Sequence, residues 1–170
     1  QIVSLHIEQL DLSQQTPASL WRLPVCYEEK FAPDLKDVVN KTNLTPDEVI
    51  ALHTSRILEV AIMGFLPGLG YLTGVDNALH LPRRSEPRTF VPQGSVGLAM
   101  DQTVIYPLNS PGGWNLIGRM PIPLFDQKRE NPILFSAGDQ VSFYSVNTDK
   151  CEELAASCVD GNLPIYPCLL

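Results

Sequence analysis

From Leu58 to Val146 the chain is written in short β runs, each cut off by glycine, proline or asparagine before it reaches helical length. The segments LEVAIMGF (58–65), FVPQGSVGLAM (90–100), QTVIYPL (102–108), WNLIGRMPI (114–122) and QVSFYSV (140–146) are strand candidates. PGLGYLTG (67–74) reads as a turn-rich loop. Regular short strands with such turns predict a mainly β fold, a closed barrel or a sandwich. Nine of the 11 glycines lie between Gly64 and Gly118, so the same stretch holds the tightest backbone approaches.

The flanks differ. Ile2, Leu5, Ile7 and Leu10 alternate loosely over residues 1–12, as the last strand of a preceding domain would, and 13–19 reads as a linker. The first residue is Gln1, so the chain reads as a fragment or a processed form. Trp21–Tyr27 alternates as a strand, and Pro24 predicts that it lies at an edge. Two short helices follow. Asp34–Lys41 carries Leu35, Val38 and Val39 on one stripe. The second starts at Thr45 as N-cap, with Pro46 first in the helix and Glu48 at the capping-box position. It runs to about Thr54, with Val49, Ile50 and His53 on its inward face. Residues 149–157 look helical, and the tail 158–170 shows no period.

Charge narrows the function classes. Twelve Lys+Arg against 19 Asp+Glu give a formal net charge of −7, which argues against nucleic acid or an anionic membrane as main partner. No apolar run is long enough to span a bilayer. The four cysteines, at 26, 151, 158 and 168, fit no zinc spacing and read as free thiols of a cytoplasmic protein, with a Cys158–Cys168 bridge left open. The middle of the chain departs from the acidic whole. Between residues 64 and 119 four arginines face three acids, and no lysine occurs from Thr42 to Gln127. Arginine recognises carboxylate and phosphate through a planar fork, so this middle is a candidate anion site.

No Walker-type loop, GxGxxG, HExxH or GxSxG is present. GFLPGLGYL (64–72) is either a loop whose backbone approaches a ligand or a wide turn between strands. In SPGGWNLIGR (110–119), Gly112 and Gly113 could offer paired N–H donors to an oxyanion, Trp114 could wall a pocket and Arg119 could clamp a charge; alternatively this is a turn with Trp114 as a core anchor. Arg83, Arg84 and Arg88 stand near Gln93 and Ser95, as an anion site or as a solvated loop with Glu86 for partner. His53 is a proton-transfer candidate or a hydrogen-bonded interior histidine. Tyr71, Gln102, Tyr106 and Ser110 are weaker candidates of the same kind.

These segments, taken in order, carry a resemblance. GF-x-PG-x-x-YL (64–72), PRR-x-x-PR-x-x-VP-x-GSV (82–96), QT-x-IYP (102–107), SPGGW-x-LIGR (110–119), LFD (124–126) and AGDQV (137–141) resemble the allophanate hydrolase subunit 1 family, which includes the 5-oxoprolinase B subunit and the kinase inhibitor KipI. PVCY (24–27), PDL (33–35) and TPDEVIALH (45–53) are similar to it as well. The chain departs from the family pattern at Met100-Asp101, where a glycine pair is usual, and at GLGYL (68–72), where GFPYL is usual.

The resemblance implies a cyclophilin-like closed β-barrel over about 21–150, preceded by the end of a small α+β N-terminal domain (1–20) and followed by a C-terminal helix and tail (151–170). It implies a role as the B subunit of a 5-oxoprolinase that opens 5-oxoproline to L-glutamate with ATP and Mg²⁺. The partners would be the A and C subunits of that enzyme, the latter itself like allophanate hydrolase subunit 2. A KipI-like inhibitor of a sensor histidine kinase, or a subunit handling urea or allophanate, would share the motifs. Carried onto this sequence, the pattern implies His53, Arg84, Arg88 and Gln102 as catalytic residues. It implies Phe65, Pro67, Gly68, Gln93, Gly94, Tyr106, Ser110, Gly112, Gly113, Trp114 and Arg119 as substrate- or nucleotide-binding residues, and no metal ligands.

Overall fold

The computed structural model describes residues 18–159, 162–165 and 167–169. The strand and the start of the linker expected in residues 1–17 lie outside them. The architecture is mainly β with three short α-helices, as predicted. Seven strands close a barrel in the order β1 (Ser19–Cys26), β8 (Asn115–Arg119), β5 (Ser95–Ala99), β6 (Gln102–Ile105), β3 (Gly70–Thr73), β2 (Ile57–Met63) and β9 (Gln140–Val146), and β9 returns to β1. Every neighbour in the ring is antiparallel except that closing pair, which runs parallel from Leu20↔Gln140 to Cys26↔Val146. Outside the barrel, β4 (Arg88–Val91) and β7 (Ser110–Gly112) form a two-stranded ribbon. A short β10 (Cys168–Leu169) pairs with the start of β1.

The helices follow their sequence signals. α1 spans Leu35–Thr42 and buries Val38. α2 spans Pro46–Thr54, and Thr45 and Glu48 form the expected reciprocal capping box. Such a cap contributes about 1 kcal/mol. α3 spans Thr148–Ser157, with the Asn147 side chain accepting from the Lys150 N–H.

Four sequence expectations are corrected. The strand around Pro24 is not an edge: β9 pairs with it from Leu20 to Cys26, while β10 and β8 take its two ends on the other side. Among the described residues, 21–25 have no strand partner on that second side, and Pro24, with no N–H to give, stands there. The loop 67–74 contains β3, a four-residue strand too short to show a pattern. The run 90–100 is two elements, β4 and β5, separated by a turn in which Gly94 takes φ +80°. The tail is not wholly patternless, since Cys168–Leu169 form β10; Cys158 and Cys168 are both free, as the free-thiol reading expected.

Strands β5, β6 and β8 are buried on both faces, and this fixes where a site can form. Val96, Leu98, Ile105 and Ile117 point into the barrel core. Their neighbours in sequence, Ala99, Val104, Tyr106 and Leu116, join Leu69, Val91 and Trp114 in a second core on the outside. The β4–β7 ribbon supplies Val91 to that outer core. A two-residue period thus serves two cores, which is why these strands read as continuous apolar runs.

Candidate active site

The arginine-rich loop is tied down before it reaches any cavity. Asp34, buried at the start of α1, accepts from Arg84 Nη1 (2.6 Å) and from both terminal nitrogens of Arg88 (2.8 and 2.7 Å). It also accepts the Leu116 backbone N–H (2.7 Å), while its own N–H donates to Leu116 O (3.0 Å). The Arg84 N–H donates to Gly113 O (2.8 Å), and the Asn115 side-chain amide donates to Pro82 O (2.9 Å) and Leu98 O (3.0 Å). One acid therefore binds two arginines, and the group keeps one net positive charge. The anion that the sequence assigned to Arg84 and Arg88 is, in this structure, Asp34. The signal that could have found it was PDL at 33–35, an acid some 50 residues upstream of its partners.

Arg83 is the arginine of this loop that stays free. No carboxylate pairs with it among the described residues, and its guanidinium carbon lies 5.3 Å over the Trp114 ring. Together with Phe65, Tyr71, Tyr106, Gly112, Gly113 and Trp114 it lines a cavity of about 110 Å³ on the outer core. Tyr71 and Trp114 stand 6.0 Å apart, centroid to centroid. Burial pushes the Tyr106 phenol pKa up to about 12, against the opposing pull of Arg83. Gly112 is required here because an added Cβ would collide with that hydroxyl. Phe65 holds φ +70° and is largely exposed at the rim, a strained placement of a large apolar side chain. A neutral phenol, an unpaired guanidinium and aromatic walls can together hold a small planar anion or amide.

Gln93, Gly94 and Arg119 line a different and larger cavity of about 450 Å³, which shares only the Tyr106 wall with the first. The expected binding set is thus divided between two cavities. Gly94 fits beneath Met120, where a Cβ would strike the Met120 carbonyl oxygen.

Besides Arg84 and Arg88, five further expected site residues line neither cavity. His53 is inside the barrel. Its ring stacks on Phe143 at 4.7 Å, with Nδ1 2.7 Å from the Tyr27 hydroxyl and Nε2 3.1 Å from Thr103 Oγ1. Thr103 gives its only hydroxyl proton to Gly97 O (3.0 Å), so it accepts from Nε2–H, and Nδ1 accepts from Tyr27. The proton order is thereby set as neutral imidazole. Burial drives the His53 pKa down to about 3, overriding the helix C-terminus that favours the cation. Gln102 pairs with Thr73 and Ala99 at the end of β6 away from Tyr106. Pro67 is exposed, and Gly68 packs against Leu124 and Phe125. Ser110 is buried opposite Val91 with no partner for its hydroxyl among the described residues.

Residues 1–135 match the family described as the carboxyltransferase domain, subdomain C and D. The chain belongs to this family. Within the carboxyltransferase subdomain C and D family it is similar to the 5-oxoprolinase B subunit of Bacillus subtilis, 44% identical over 125 residues, 74% of this chain and 52% of that protein. The 5-oxoprolinase B subunit of Haemophilus influenzae is 46% identical over 121 residues, 71% of this chain and 57% of that protein. Among solved structures of the family, the conserved protein PH0987 from Pyrococcus horikoshii superposes with a TM-score of 0.75 at 39% identity, over 78% of this chain and 61% of that one. The chain spans little more than half the length of the curated relatives it matches. No helix of the described residues is long and apolar enough to cross a membrane.

Proposed function

We propose that this chain is the barrel part of a 5-oxoprolinase B subunit, acting with the A and C subunits to open 5-oxoproline to L-glutamate at the expense of ATP in the cytoplasm. The observation that carries the reading is the 44% identity to a protein of that name across the span that builds the smaller cavity. The chemistry is consistent with it. A lactam is a weak electrophile, and phosphorylation of its oxygen creates a leaving group before water attacks the carbon. Arg83 would receive the substrate carboxylate, Tyr71 and Tyr106 would face the ring, and the Gly112–Gly113 edge would lie beside the reacting oxygen. In this reading Arg84 and Arg88 act by holding the loop through Asp34, and His53 supports the barrel rather than moving a proton.

The nucleotide is assigned to the partner proteins. Among the described residues no group of three or more His, Cys, Asp or Glu could hold Mg²⁺. The N–H groups of Gly94, Met120 and Arg84 near the cavities are already spent on backbone carbonyls. These residues do not fit an ATP–Mg²⁺ cradle.

The test is 5-oxoproline-dependent ATP hydrolysis by the protein co-purified with its A and C partners. Glutamate formation that disappears when this protein is omitted is expected. An intact complex without turnover would refute the reading and favour the KipI-like alternative, to be followed by a histidine-kinase autophosphorylation assay.

A further inference from the structure

The larger cavity, apart from its Tyr106 wall, is unused by the proposed reaction, yet its volume of about 450 Å³ is that of a small-molecule site. Its floor and walls are apolar: Ile105, Met120, Ile122 and Leu124 come from the barrel and the segment after β8. Its roof is α3, through Cys151, Glu152 and Ala155. That helix lies beyond the residues matched to the family.

One charge faces into this apolar space. The Arg119 guanidinium carbon lies 5.0 Å over the Phe31 ring, and its Nε is buried with no acceptor among the described residues. No carboxylate pairs with Arg119 among the described residues. The other charges at the mouth cancel, because Lys30 is bound to Glu152 at 2.6 Å. Cys151 adds no negative charge, since burial pushes its thiol up to about 11. The backbone offers nothing further: the Gly94 N–H donates to Tyr106 O and the Met120 N–H to Gly94 O. A phosphate is held best by several cations or a nest of free N–H groups; among the described lining residues Arg119 is the cation without a carboxylate partner, and the Gly94 and Met120 N–H groups are spent. A single guanidinium with an unmet donor matches a single carboxylate.

We propose that the cavity between the barrel and α3 binds a small amphipathic monocarboxylate, its carboxylate on Arg119 and its apolar body against Ile105, Met120, Ile122 and Leu124. This does not depend on the 5-oxoprolinase reading, because it uses other residues and a readout other than turnover.

The test is calorimetric or NMR titration of the full chain with hexanoate, against acetate, 1-hexanol and hexylamine. Hexanoate is expected to bind about tenfold or more tightly than each of the three, which lack either the apolar body or the anion. Arg119→Met keeps the packing on Phe31 but removes the charge, and is expected to weaken hexanoate about tenfold or more while leaving 1-hexanol unchanged. Ala155→Trp adds bulk to the roof from an exposed helix position, so the fold is retained while the cavity is filled, and hexanoate binding is lost. The proposal is overturned if wild type binds no hexanoate up to its solubility limit, if 1-hexanol binds as well as hexanoate, or if both variants bind hexanoate as wild type does.

Discussion

Asp34 is where stability and the anion site meet, and Asp34→Asn separates them. The carboxylate is almost fully buried and holds Arg84, both terminal nitrogens of Arg88 and the Leu116 N–H. The asparagine keeps the shape but removes the charge and one acceptor, leaving two guanidinium groups facing each other. Breaking a buried ion pair by removing one partner costs about 3–5 kcal/mol. The two guanidinium groups keep a quarter of their side-chain surface in water, so solvent recovers part of the loss. The low end, about 3 kcal/mol, is therefore expected, a fall in Tm of roughly 6–12 °C for a chain of this size. Urea unfolding read by tryptophan fluorescence measures it. Arg84→Met and Arg88→Met should each cost less, because Asp34 retains the other arginine and the Leu116 N–H. A loss below about 1 kcal/mol in Asp34→Asn would refute the clamp and return both arginines to ligand binding.

Other outcomes follow from the same geometry. Arg83→Met touches no ion pair, so stability should stay within about 0.5 kcal/mol while 5-oxoproline-dependent turnover of the reconstituted complex falls; unchanged turnover would remove Arg83 from the site. His53 has a folded pKa near 3, below its unfolded value of about 6.5, so its contribution is complete above pH 6.5 and is lost as pH falls. Between pH 6.5 and 5 the loss from His53 should be about 2 kcal/mol, and that slope should be absent from the pH–stability curve of His53→Gln. Gly94→Ala places a Cβ against the Met120 carbonyl at a positive φ and should cost about 2–4 kcal/mol by chemical denaturation.

Local signals in the sequence were reliable where one short segment contained the whole device. The α2 start is set by Thr45, Pro46 and Glu48, and β9 matches its apolar run because both are complete within a few residues. The spacing of short strands and turns left a barrel or a sandwich open, and the family resemblance pointed to the barrel that the strand ring shows. What could not be read were pairings across the chain. Arg84 and Arg88 looked like ligand-binding residues because their acid sits far upstream, and sequence proximity suggested only Glu86. Arg83, beside them, gave no local sign that it would be the one left unpaired. Trp114, just before β8, and Arg119, at its end, lie in one motif yet line two different cavities. His53 was readable as inward-facing from its helical spacing, and the Tyr27–His53–Thr103 chain that fixes its proton needed the fold.

The parallel seam between β1 and β9 has a consequence for biosynthesis. Leu20 meets Gln140, so the first strand of the ring must wait for the last before the barrel can shut. At about 5–20 residues per second, a ribosome needs roughly 6–24 s to make the intervening stretch. Throughout that interval the edge of β1 that β9 will cover stays open on the nascent chain, exposed to strand exchange with other chains. Yield in cells should therefore respond to elongation rate and to holdase supply more sharply than the equilibrium stability of the finished barrel suggests.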